Sequence, residues 1–86
     1  MGKNRLNKKH AVYTAKSGTT KMINYDRSRQ ILEVQFIEGD IYHYLHVPEK
    51  IWKDFLKEVK AGGSSGTFVN KIIKPVYKFI KIESPA

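Results

Sequence analysis

Apolar and polar side chains alternate most clearly over residues 30–37 (QILEVQFI), with Leu32, Val34 and Phe36 on one face and Glu33 and Gln35 on the other. A period of two marks a strand with one face turned to a core. Residues 20–25 (TKMINY) read as a preceding strand, and Asp26-Arg27-Ser28-Arg29 as the turn between them, started by the Asp carboxylate. Glu38-Gly39-Asp40 reverses the chain again, and residues 41–47 (IYHYLHV) return as a third strand. The length of that second turn decides what is buried, because a slip of one residue flips every side chain. A two-residue loop, Glu38-Gly39, directs Ile41, His43 and Leu45 to the core. A three-residue loop pairs Phe36 with Tyr42 and Val34 with Tyr44, burying both tyrosines and exposing His43. The second is preferred, since it sets an aromatic rather than a histidine opposite Val34.

At Pro48 the period changes. Proline suits a first helical turn, where its missing N–H costs nothing. Ile51, Trp52, Phe55, Leu56 and Val59 then form an apolar stripe, while Lys50, Lys53, Asp54, Lys57 and Glu58 face water. Gly62-Gly63 ends this helix. Ser64 or Ser65 caps a short second helix over about residues 66–73, with Phe68, Val69, Ile72 and Ile73 inward and Pro75 as its stop. Residues 76–82 (VYKFIKI) read as a last strand returning to the sheet. The pattern predicts an α+β domain: a small antiparallel sheet, a three-strand meander plus a C-terminal strand, packed against one main helix and one short helix. Residues 1–16 lack either period and read as a flexible basic arm ahead of a domain over 17–86, ordered at most near Ala11-Val12-Tyr13.

With 86 residues the chain holds one domain, and its lack of cysteine excludes a disulfide framework or a thiolate zinc site. No stretch approaches the roughly 20 apolar residues of a membrane span. The basic N-terminus leads into no apolar core of a secretory signal. Leu6 stands where a myristoylation signal carries Ser or Thr. A cytoplasmic location is expected.

Charge is the most informative bulk property of the chain. The formal net charge is +8, with residues 1–29 contributing +7, residues 30–59 contributing −3 and residues 60–86 contributing +4. Cations gathered at both ends favour a polyanion, because neutralised phosphates release their counterions, or else simply keep a small domain soluble.

Tyr25-Asp26, Leu32-Glu33-Val34-Gln35-Phe36, Gly39, Tyr42-His43-Tyr44, Val47-Pro48 and Ser65-Gly66-Thr67-Phe68-Val69-Asn70, followed by Ile73 and Tyr77, occur in this order. This succession resembles the KTSC domain, whose outline is Y-D, L-E-V-x-F, G, Y-x-Y, V-P, a serine-glycine-asparagine segment and a closing I-x-x-x-Y. The resemblance spans about residues 17–83, and the order of the pieces is more specific than any one of them. The family is named for its occurrence at the C-terminus of certain lysyl-tRNA synthetases, and it also occurs as small stand-alone proteins of bacteria and phages. The resemblance therefore implies this fold and a link to RNA. The chain departs from the family in its basic arm and in Asn24, where glycine is common.

The Gly62–Gly66 loop opening a helix is the best anion site in the sequence, since unpaired N–H groups and the helix dipole converge there. Ser64, Ser65 and Gly66 would meet a phosphate, Asn70 would hydrogen-bond the ligand or tie the loop, and Lys71, Lys74 and Lys78, with Lys8 and Lys9 of the arm, would supply charge. The alternative reading of the loop is a plain linker with a serine cap, because the spacing of a nucleotide P-loop is absent. Tyr77-Lys78-Phe79-Ile80-Lys81 alternates aromatic and basic residues, either as a stacking platform or as a half-buried strand with its lysines outside. Trp52, Phe55, Tyr42 and Tyr44 are assigned to the core.

No metal, cofactor or catalytic set is expected. His43 and His46 point to opposite faces of a strand, Glu33, Glu38 and Asp40 lack ligand spacing, and no nucleophile–base pair is evident. The expected function is a non-catalytic RNA- or DNA-binding accessory module without a membrane association. The alternatives are a domain for a small anionic nucleotide, a protein-interaction module, or a small ribonuclease working with a His, a Tyr and lysines.

Overall fold

Among the described residues, five antiparallel strands lie in the order β1-β2-β3-β4-β5: β1 Val12–Tyr13, β2 Thr20–Asp26, β3 Ile31–Phe36, β4 Ile41–Tyr44 and β5 Phe79–Ile82. The computed structural model describes residue 6, residues 11–14 and residues 18–82. Helix α1, Glu49–Lys60, and a second helical segment cover one face of the sheet. That segment begins as helix α2, Ser65–Phe68, and widens into a π turn, Val69–Ile73. The expected α+β class is the observed one, with a short edge strand, β1, added to the meander and its C-terminal partner.

The core follows the predicted alternation. Ile23 and Tyr25 from β2, Leu32 and Val34 from β3 and Tyr44 from β4 meet Val47, Trp52, Phe55, Val69 and Ile73. Tyr25 stacks on Trp52 at 5.4 Å between centroids, and its hydroxyl donates to the Val47 carbonyl at 2.5 Å. Burial, reinforced by the negative charges of Glu49 and Asp26, pushes the Tyr25 phenol up, so it remains a donor. Asp26 starts the first turn as expected, accepting from the N–H groups of Ser28 and Arg29. The hydrogen bond from Arg29 holds its carboxyl down at about 2.

The second turn has the expected length in a different place. Its three residues are Ile37, Glu38 and Gly39, closed by Gly39 N–H to Phe36 O and Phe36 N–H to Asp40 O. Val34 therefore pairs with Tyr42 and Leu32 with Tyr44, two residues from the expected register. Gly39, at φ 108°, is the reason: a left-handed residue at the third loop position closes this hairpin, and glycine adopts it without a side-chain clash. A slip of two keeps every side chain on its face, so both tyrosines still point toward the helices.

The expected exposure of His43 is overturned. His43 and Glu33 are buried on the opposite face, beside Met22, Asn24, Ile41 and Ile82. Nε2 of His43 lies 2.8 Å from Oε2 of Glu33, and the N–H of buried Leu6 donates to the same oxygen at 3.2 Å. The alternation was correct, but this face is not solvent-facing, and polar side chains survive burial there by pairing with one another. Strand β4 also ends earlier than expected. His46 adopts φ 58°, which turns Val47 into the core with its N–H on the Gln30 carbonyl.

Helix α1 matches the predicted stripe and starts directly after Pro48. It ends with Gly62 at φ 90°, Gly62 N–H on Val59 O and Gly63 N–H on Glu58 O, the paired bonds of a Schellman stop. In the second segment Val69 and Ile73 are buried, but Ile72 is 40% exposed. Lys74 N–H reaches back five residues to Val69 O, and the wider turn rotates Ile72 outward. No helix among the described residues is long and apolar enough to cross a membrane.

Candidate nucleic-acid interface

The core cluster that the helices join takes residues from β2, β3 and β4 and none from β5, and an aromatic strip lies on the same face. Phe36 ends β3, Tyr42 lies on β4 and Phe79 begins β5. Phe36 and Tyr42 are half-buried, whereas Phe79 is 56% exposed. Ring centroids are 5.3 Å apart for Phe36–Tyr42 and 5.0 Å for Tyr42–Phe79. Beneath them Tyr44 contacts both Tyr42 and Phe79, and burial pushes its phenol up to about 12. The strip therefore rests on a neutral, packed floor.

Two cations flank it. Lys74 Nζ sits 5.4 Å from the Phe36 ring centroid, a cation–π contact. Lys81 pairs across the strands with Tyr42, which places it on the same face, and its Nζ lies 3.5 Å from Asp40 Oδ1. This second pair is exposed, so the ammonium remains available to another anion. An apolar floor of rings beside two ammonium groups matches the demands of an unpaired strand, with bases on the aromatics and phosphates on the lysines.

The glycine-serine loop is built differently from its sequence-based reading. Ser64 is the cap, its Oγ accepting from Thr67 N–H at 3.2 Å. Ser65 is turned inward, with its Oγ 2.5 Å from Thr20 Oγ1, which in turn contacts Thr14 Oγ1 at 2.7 Å. Gly66 is buried against the residue that precedes β2, where a Cβ would stand 2.6 Å from Thr19 Oγ1. Ser65 and Gly66 thus join the helical segment to the sheet and do not face a ligand.

The lysines are distributed as follows. Lys71 and exposed Asn70 lie on the outer side of the π turn, and Lys71 lines a cavity with Ser64. Lys74 reaches Phe36, while Lys78 is exposed near the end of β4, its carbonyl accepting from Leu45 N–H. Lys8 and Lys9, with most of the proposed arm, lie outside the described residues. Within residues 11–14, Val12 and Tyr13 pair with Ile23 and Met22, extending the sheet ahead of residue 17. Phe36 and Tyr42 were not singled out by sequence as ligand-facing. The available signal was the alternation of Phe79 and Lys81 on one face of the last strand, whose sheet neighbour was not specified. Among the described residues no three His, Asp or Glu side chains group to hold a metal.

A small antiparallel sheet with its helices packed on one face places the chain among compact α+β domains. The chain belongs to the KTSC domain family, whose family model matches residues 16–77. It resembles the crystal structure of a KTSC domain protein from Yersinia pestis, with a TM-score of 0.67 and 35% identity over 78% of this chain and 89% of that one. A protein of Tsukamurella paurometabola is 35% identical over 66 residues, covering 77% of this chain and 92% of its own length. One from Stutzerimonas stutzeri is 32% identical over 68 residues, covering 78% and 90%.

Proposed function

We propose that this domain is a non-catalytic module that binds single-stranded RNA or DNA along β3 to β5. The observation that carries the reading is the strip Phe36–Tyr42–Phe79, drawn from three adjacent strands, with Lys74 and Lys81 beside it. The net charge of +8 supports it by attracting the polyanion before contact. The glycine-serine loop drops out as the principal phosphate site, because Ser65 and Gly66 are committed to packing.

Titration of a labelled single strand against salt tests the reading. Two neutralised phosphates alone give a log–log slope of about −1.4, and additional basic contacts steepen it. Phe79→Ala removes one stacking ring from an exposed position and should weaken binding about 5- to 150-fold. Affinity that is flat with salt, or unchanged in Phe79→Ala, removes the basis of the proposal. A second reading rests on β5 being a sheet edge with exposed Phe79 and Ile80, open to strand addition by a protein partner. Binding of such a partner would persist at high salt.

A further inference from the structure

A cavity of about 350 Å³ opens where the end of α1 meets the start of the second helical segment, away from the aromatic strip. That volume falls at the lower end of small-molecule pockets, about 300–1,000 Å³. Phe68 and Ile72 form its apolar walls. Phe68 stacks on buried Phe55 at 4.5 Å and 21°, which fixes its ring, and what that packing leaves uncovered lines the cavity. Ile72 is there because the π turn rotates it out of the core.

The polar lining has two signs. Glu58 and Lys71 both border the cavity, and neither has an ion-pair partner within 4.0 Å among the described residues. The Glu58 carboxylate is seated against Gly63, where a Cβ would lie 2.0 Å from its Oε2. The hydroxyls of Ser64 and Thr67 complete the rim.

We propose that this cavity binds a guanine nucleotide. A carboxylate is an acceptor-only group with two oxygens side by side. Among the nucleobases, guanine alone presents two adjacent donors, N1–H and N2–H, on its Watson–Crick edge. Adenine and cytosine set a ring acceptor beside their amine, and uracil flanks its single N–H with carbonyls; each places an oxygen or nitrogen lone pair against Glu58. The base stacks on Phe68, Lys71 takes the phosphate, and the Ser64 and Thr67 hydroxyls reach the ribose. The inference goes beyond strand binding on the sheet, because a mononucleotide needs only this cavity.

Calorimetric titration of the intact chain with GMP, AMP, CMP, UMP and guanosine tests it. GMP should bind about 5- to 150-fold more tightly than AMP, as one bidentate base contact provides. Glu58→Gln should abolish that preference, and Gly63→Ala should reduce it by displacing the carboxylate without altering its chemistry. Lys71→Ala should weaken GMP and AMP alike and leave guanosine unchanged. Equal affinity for GMP and AMP, a preference that survives Glu58→Gln, or no binding of any mononucleotide overturns the proposal.

Discussion

Glu33 Oε2 and His43 Nε2 lie 2.8 Å apart on adjacent strands, both buried on the sheet face away from the helices. A buried pair of this kind adds little net stability relative to an apolar pair, but breaking it takes one of its hydrogen-bond partners from a buried carboxylate. Two polar side chains inside an 86-residue domain therefore fix strand register more than they strengthen the core. A one-residue slip between β3 and β4 would separate them across the sheet.

His43→Ala is expected to destabilise the domain by about 1–3 kcal/mol, the cost of taking one partner from a buried polar group. Combining it with Glu33→Gln should cost less than the sum of the two single changes. Urea denaturation of the four proteins in this double-mutant cycle measures the coupling, and strict additivity would show that the pair acts independently.

Ser65→Ala separates packing from binding. Removing this hydroxyl deprives buried Thr20 Oγ1 of one of its partners and should cost about 1–2 kcal/mol, a midpoint shift of several degrees. Strand affinity at a temperature where the domain stays folded should not change. Thermal melts together with a binding titration read both.

Asp26 gives the fold a specific acid sensitivity. Its carboxyl is held at about 2 in the folded state, against an ordinary 3.8. A depressed folded value means that the unfolded chain takes up the proton first, so the contribution is complete above about pH 4 and disappears as pH falls toward 2. Asp26→Asn should flatten the stability profile through that window and leave the slope between pH 5 and 7 unaltered. Denaturant midpoints measured every half unit from pH 2 to 7 check this.

The elements were legible because their periods are strong: QILEVQF alternates over its whole length, and the α1 stripe recurs at helical spacing between Pro48 and Gly62. The hairpin register was misplaced by two residues because alternation is blind to an even slip, whereas the left-handed Gly39 and the Glu33–His43 pair are not. The burial of His43 was illegible for a different reason. A period of two reports that two faces differ, whereas Leu6, 27 residues from Glu33, closes the second one. The candidate site shows the same limit. Phe79 and Lys81 were identifiable as neighbours on one face, but joining them to Phe36 and Tyr42 required knowing that β5 pairs with β4. Ser65 and Gly66 look like an anion loop in sequence because the hydroxyl and the bare backbone that pack on Thr19 and Thr20 also suit a phosphate.

Two-dimensional NMR of the labelled domain with a short unstructured oligonucleotide locates the bound strand on the surface residue by residue. Resonances of Phe36, Tyr42, Phe79, Lys74 and Lys81 should shift together and saturate with one affinity, while those of Ser65 and Thr20 stay in place. Shifts confined to other surfaces, or an unperturbed spectrum at low salt, would contradict binding along β3 to β5.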